Sequence, residues 1–217
     1  MANVAVEPVS VARRRFLWSR LGSLLAVAPL GVWTVAHVWS NLAALRGEQA
    51  WTDSVTTYAH PVSYAVTLTL VFAPLLMHTV WGIGRLFVTR PNNVRYGYYT
   101  NLKFLLQRLS AIGVLLFLGA HVWLALLHPR LVEGHAERFG EFAHEMRHHG
   151  PTLVVYLLGT LGVSYHLANG LQTTALAFGV VVTPRAQRRL EVLIMTFFVL
   201  LLAMCWTAIY ALWQAGA

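Results

Sequence analysis

The chain has 217 residues, 57% of them hydrophobic and only 11% charged, with a mean hydropathy of +0.58; this excludes an ordinary soluble domain. The net charge of +8 does not point to nucleic acid, because the basic residues lie between apolar runs and form no dense tract. The single cysteine, Cys205, excludes a disulfide framework, a cysteine-pair zinc site and covalent attachment of a prosthetic group through Cys-x-x-Cys-His, and reads as a packed apolar residue.

Residues 1 to 19 are a polar lead ending in Arg13-Arg14-Arg15 and Trp18, followed by a charge-free run from Leu21 to Leu45. That run is far longer than the roughly 7 to 15 residues of a signal-peptide core and lacks a small-residue cleavage site, so it reads as a retained first span. Further charge-free runs cover 61–84, 109–127, 152 to about 178, and 192–213. Each is close to the roughly 20 residues needed to cross about 30 Å of hydrocarbon. Isolated strands cannot satisfy their backbones in lipid. The expected fold is therefore all-α and integral to the membrane: five transmembrane helices in a single domain, the first four forming a bundle. His60-Pro61 and Gly150-Pro151 open the second and fourth helices, Pro91-Asn92-Asn93 and Thr183-Pro184 punctuate loops, and Pro29 and Pro74 fall within spans, where neighbouring helices are expected to compensate.

The N-terminal segment (Arg13, Arg14, Arg15, Arg20), the second connection (Arg85, Arg90, Arg95, Lys103, Arg108) and the fourth (Arg185, Arg188, Arg189) hold twelve of the sixteen basic residues. The opposite side has Arg46, Arg130, Arg138 and Arg147 beside six of the eight acids. The positive-inside rule puts the N-terminus in the cytoplasm and, after five crossings, the C-terminus outside.

Ionisable residues at membrane depth are functional candidates by default. Ala36-His37-Val38-Trp39 returns as Ala120-His121-Val122-Trp123, and each of the first four runs holds one histidine within it: His37, His78, His121 and His166. At a rise of 1.5 Å per residue, His37 and His121 lie roughly 25 and 20 Å from the cytoplasmic boundary, while His78 and His166 lie roughly 25 and 22 Å from the outer one. Depth therefore pairs His37 with His121 in the outer half and His78 with His166 in the inner half. Two bis-histidine haems stacked across a four-helix bundle need that arrangement. Gly82 and Gly170, each four residues after an inner histidine, leave room for a macrocycle edge. The competing readings are hydrogen-bonded interhelical histidines, a haem b anchor of another quinone-linked dehydrogenase, or a haem-free proton relay or transporter. Transporters tend to carry carboxylates and broken helices at the midplane, and none of the five runs contains Asp or Glu.

The chain resembles the five-helix, di-haem cytochrome b subunits of succinate:quinone oxidoreductases, the succinate:menaquinone and fumarate reductase group. The residues that carry the likeness are Arg20-Leu21-x-Ser23-Leu24-Leu25, Pro29, Ala36-His37, Asn41, Pro74-Leu75-x-x-His78, Leu106-Gln107-Arg108, His121-Val122-Trp123, His166-x-x-Asn169-Gly170-Leu171 and Val182-Thr183-Pro184-Arg185-x-Gln187-Arg188. The resemblance implies two haem b groups, the inner on His78 and His166 and the outer on His37 and His121. It also implies a multi-pass anchor in the cell's cytoplasmic (inner) membrane for a flavoprotein subunit carrying FAD and an iron–sulfur subunit carrying clusters, passing electrons to a quinone such as menaquinone. The basic cytoplasmic connections suit docking of those partners, and equally suit plain topology signals.

A quinone site near the outer haem needs a proton-exchanging group, for which His60 and Asn41 are the candidates. Similar proteins often place a carboxylate near the His60 position, where this chain has Asp53 earlier in the loop. Haem propionates need cations or donors at the bundle edges, and Arg20, Ser23 and Arg108 on the inner side and Arg147 on the outer are the candidates. Trp39 and Trp123 are candidates to pack on the outer haem. His144-Glu145-Met146-Arg147-His148 matches the H-E-x-x-H zinc-protease pattern, but no acid follows until Glu191 on the other side of the membrane. The segment reads instead as a short amphipathic interfacial helix with Phe139, Phe142 and Met146 on one face.

In a Cys205→Ser background, Arg46→Cys is expected to react with a membrane-impermeant maleimide in intact cells and Arg188→Cys only after permeabilisation. The reverse pattern would invert the topology.

Overall fold

The computed structural model describes residues 9–55, 65–88 and 95–217. His60 and the Pro91-Asn92-Asn93 turn lie outside the described residues. Seven helices are named here in chain order: α1 (Val9–Arg46), α2 (Glu48–Val55), α3 (Ala65–Phe87), α4 (Tyr99–Glu133), α5 (Phe139–His148), α6 (Gly150–Ala177) and α7 (Pro184–Ala215). Five of them, α1, α3, α4, α6 and α7, are long and apolar enough to cross a membrane, and the described residues contain no strand. The chain is an all-α, multi-pass membrane protein.

The helices outrun the apolar runs that mark them in the sequence. Those of α1, α4 and α7 begin at Val9, Tyr99 and Pro184, well ahead of Leu21, Leu109 and Val192. A helix that satisfies its own backbone continues into the interface, where long basic side chains carry their charges to water. At α7 the start is built locally: the Thr183 hydroxyl oxygen accepts the Ala186 amide at 3.2 Å, and Pro184 takes the first helical position, where no amide is needed.

The prolines inside spans are accommodated by the helices themselves. Wide π-turns cover Ala26–Gly31 around Pro29, Leu68–Phe72 just before Pro74, and Trp123–Leu127 and Pro129–Glu133 on either side of His128 next to Pro129. The sequence suggested compensation by neighbouring helices; widening the turn removes the clash between the ring and the preceding carbonyls within the same helix.

α1 packs against α3 and α6, α6 packs against α4 and α7, and α7 also lies along the C-terminal half of α1; inner and outer name the basic end of the bundle and the end with the acidic loops. At the inner end, Arg108 of α4 donates to the Arg85 carbonyl of α3 at 3.3 Å. The helices carrying each depth-matched histidine pair, α1 with α4 and α3 with α6, are not among the closely packed pairs of the described residues. They stand diagonally across the bundle, which leaves the interior between them.

The polarity of the membrane part is inverted. Leu76, Phe87, Leu116, Leu158 and Val192 are exposed, while Ser164, Asn169 and Gln172 of α6 are buried. Lipid solvates apolar side chains as well as another helix does, so interhelical surfaces carry the small and polar residues. Burial of large apolar groups is concentrated instead at the outer end, where α2 and α5 form a cap. Phe139, Phe142, Ala143 and Met146 of α5 pack with Trp51 of α2, Ala44, and Ile209, Ala211 and Leu212 of α7. α5 is the amphipathic helix expected from the spacing of its aromatic residues.

Candidate cofactor site

The four in-span histidines meet in two pairs. The His37 and His121 rings lie 5.9 Å apart between centroids, and those of His78 and His166 6.1 Å apart. Along α1, Gly22 touches the inner pair and His37 belongs to the outer one, so the two levels are separated by roughly 22 Å of helix. Each pair spans a diagonal of the bundle.

Three of the four imidazoles have Nδ1 occupied by the protein. His78 Nδ1 donates to the Gly22 carbonyl at 2.9 Å. A carbonyl only accepts, so this bond puts the proton on Nδ1 and leaves the Nε2 lone pair of the neutral ring for a ligand. His121 Nδ1 lies 3.0 Å from the Tyr156 hydroxyl. His166 Nδ1 lies 3.3 Å from the Gln107 carbonyl and 3.4 Å from Ser110 Oγ, with the Gln107 amide nitrogen also near at 3.2 Å. Histidines that bind metal through one nitrogen commonly hold the other in this way, which fixes ring orientation. His37 is held by stacking: the Trp33 ring lies 4.6 Å away at an interplanar angle of 8°.

The geometry fits bis-histidine ligation of an iron. A metal–imidazole bond of about 2.0 Å on each side, plus the distance from nitrogen to ring centre, separates two axial rings by about 6.3 Å. A Cβ added at Gly82 would meet nothing within 4 Å, and one at Gly170 would meet only the Gln107 amide nitrogen at 3.7 Å. Buried donors also lack acceptors at both ends: Nε of Arg20 and Nη1 of Arg147. Their guanidinium groups lie over Phe16 at 5.3 Å and over Trp213 at 3.8 Å. An anionic group at the bundle edge would satisfy them.

The remaining sequence candidates take different places. Arg108 is held over the Phe104 ring at 4.4 Å and by the Arg85 carbonyl. Ser23 is half-buried on α1, next to the glycine that orients His78. Asn41 is committed at both ends of its carboxamide, donating to the His37 carbonyl at 2.9 Å and accepting from Trp51 Nε1 at 3.1 Å. Trp39 and Trp123 do not stack on the histidines: they are 70% and 51% exposed. Two positions along a helix turn the side chain about 200° away, whereas four positions return it to the same face. The rings on the outer histidines are accordingly Trp33 and Phe117, the latter 5.4 Å from His121. His144 and His148 face each other at 4.6 Å, and among the described residues no third His, Cys, Asp or Glu joins them as a metal-binding group.

Sequence reasoning assigned no role to the residues around the histidines, although Gln107 and Asn169 are among those that carry the family likeness. Gln107 donates to the His166 carbonyl at 3.2 Å and accepts from Asn169 at 2.8 Å, so one side chain locks α4 to α6 at the inner level. Lys103 bridges Gln172 of α6 and Glu191 of α7, the latter at 3.0 Å. The signal available was polarity itself: Gln107, Asn169, Gln172 and Tyr156 are polar groups on otherwise apolar helices.

These features define a multi-pass helical membrane protein with two pairs of facing histidines. No protein-family model matches the chain. It is 33% identical over 204 residues to the succinate dehydrogenase cytochrome b558 subunit of Bacillus subtilis (strain 168), an alignment covering 91% of this chain and 97% of that relative. The chain belongs to the family of succinate dehydrogenase cytochrome b membrane subunits.

A Cβ at Gly22 would lie 2.3 Å from the Trp81 ring, which sits 6.2 Å from His78. Gly22→Ala is expected to cost about 1–3 kcal/mol by overpacking, seen as a lower unfolding midpoint in detergent. Gly140→Ala, where a Cβ meets nothing within 4 Å, should show no such loss.

Proposed function

We propose that this chain is the membrane-anchor cytochrome b subunit of a succinate:quinone oxidoreductase, linking a cytoplasmic flavoprotein and iron–sulfur pair through two b haems to a quinone, menaquinone being the favoured type. The observation that carries the reading is the pair of ring separations, 5.9 and 6.1 Å, combined with Nδ1 partners on His78, His121 and His166. A haem b held between the two imidazoles of a pair would supply one-electron transfer at that level.

The residues of the chain would hold these groups as follows. His78 and His166 bind at the inner level, with Gly22 and Gln107 fixing their orientation. His37 and His121 bind at the outer level, where Trp33, Phe117 and Tyr156 pack against the rings. Arg20 supplies a donor to a propionate at the inner edge, Ser23 and Arg108 are further donors on the same side, and Arg147 does so at the outer edge. The outer level also adjoins the proposed quinone site. The Asn41 carboxamide is spent on the helix end and on Trp51, so its part is to hold that wall in place, while proton exchange falls to His60. The basic inner end, with Arg185, Arg188 and Arg189 exposed on α7, faces the partner subunits.

A dithionite-reduced-minus-oxidised spectrum with haem extraction is expected to give two b haems per chain. His37→Leu should remove the outer haem and leave the inner one, and His166→Leu should do the converse; a chain without haem would end this reading. With both haems in place, His60→Ala is expected to lose quinone turnover, and unchanged turnover would remove His60 from the site.

A further inference from the structure

We propose that the outer face of the protein carries a zinc-class cation site formed by Glu133, His135 and Glu141, separate from both histidine pairs. Their donor atoms all lie within 4.8 Å of one another. His135 Nε2 is 3.2 Å from Glu133 Oε2 and 3.4 Å from Glu141 Oε1. His135 Nδ1 donates to the Ala136 carbonyl at 2.8 Å. With that nitrogen carrying the proton, Nε2 of the neutral ring is a lone pair facing two carboxylate oxygens. Three acceptors converging on one point require a positive occupant, either a second proton on the ring or a metal ion.

The donor set accommodates the ion. A charge-assisted N–H···O bond to a carboxylate is about 2.7–2.9 Å long. Ligands placed tetrahedrally at about 2.0–2.1 Å from zinc are instead separated by about 3.3–3.4 Å. The observed 3.2 and 3.4 Å leave room for an ion among the three donors. One imidazole and two carboxylates suit zinc, with a fourth position left for water. Calcium prefers six to eight oxygens and does not suit an imidazole donor.

The backbone brings the three together across two elements. Glu133 ends α4, Gly134 turns the chain with a left-handed φ of 77°, His135 follows, and Glu141 lies in the first turn of α5. His128 Nδ1 sits 3.4 Å from the second Glu133 oxygen and orients that carboxylate. Of the neighbouring cations, Arg130 pairs with Glu137 at 2.6 Å, and Arg138, 63% exposed, lies 3.7 Å from the same Glu141 oxygen that faces His135. A bound ion would fasten the connection after α4 to the start of α5, the helix that closes the outer end over Trp51.

The test titrates zinc chloride into the full chain in detergent, with competition by a chromophoric chelator. The expected result is one zinc per chain, an affinity weakened at least tenfold by His135→Ala and by Glu141→Gln separately, no competition from calcium, and no change in His144→Ala. Zinc should also raise the unfolding midpoint of the wild-type chain but not of His135→Ala, whose zinc-free midpoint reports whether it folds. Absence of stoichiometric zinc would overturn the proposal and leave a doubly protonated His135 between the carboxylates. Zinc lost in His144→Ala but retained in both site variants would overturn it in favour of the His144 and His148 pair.

Discussion

An imidazole within an apolar transmembrane helix has no water to bond to, so its hydrogen-bond partner comes from another helix, as it does for His78, His121 and His166. A buried polar group left without one costs about 1–3 kcal/mol. Three such groups on three different helices therefore fix how those helices rotate about their own axes. The Gly22 carbonyl of α1 takes His78 of α3, the Tyr156 hydroxyl of α6 takes His121 of α4, and the Gln107 carbonyl of α4 takes His166 of α6. Each bond crosses between adjacent helices, while each histidine pair spans a diagonal. The same rotation that satisfies Nδ1 directs the rings into the bundle interior toward one another.

The two levels are built with different chemistry. The inner level is polar, joined by Gln107, Asn169 and Ser110, and Lys103 ties Gln172 to Glu191 at the same end. The outer level is aromatic, with Trp33, Phe117 and Tyr156 around the rings and the α2–α5 cap above them. Gly159 lets this outer layer close, because a Cβ there would lie 2.2 Å from the Phe117 ring that stacks on His121. An apolar layer with few dipoles keeps the local dielectric low and strengthens each electrostatic contact inside it. The end beyond it is closed by the buried Trp51, Phe142 and Met146 of the cap.

Stability in this molecule comes from different sources along its axis. Through the membrane the large apolar side chains face outward, so the spans associate through close contact at small residues and through hydrogen bonds. Gly22 against Trp81 and Gly31 against Leu167 are two such contacts. At the outer end the hydrophobic effect returns, since α2 and α5 bury Trp51, Phe142 and Met146 as a soluble protein would. The short amphipathic helix is therefore a structural lid, and its H-E-x-x-H sequence follows from an exposed polar face on which residues four apart are neighbours.

The amino-acid sequence by itself determined the five apolar runs, the charge asymmetry between the two sides, and the depth of every in-span histidine, because rise per residue and membrane thickness are fixed lengths. It also carried the family likeness that the 33% identical relative supports. Helix ends lay beyond its reach, since a helix does not stop where hydrophobicity does. The neighbours of the histidines were only half legible. The repeated Ala-His-Val-Trp drew attention to Trp39 and Trp123, while the 3.6-residue period puts Trp33 and Phe117 on the histidine faces. Which carbonyl or hydroxyl holds each Nδ1 was decided by the tertiary structure alone. Sequence gives the height of a residue on its own helix, but a bond between helices also depends on how each is turned and how closely it approaches its neighbour.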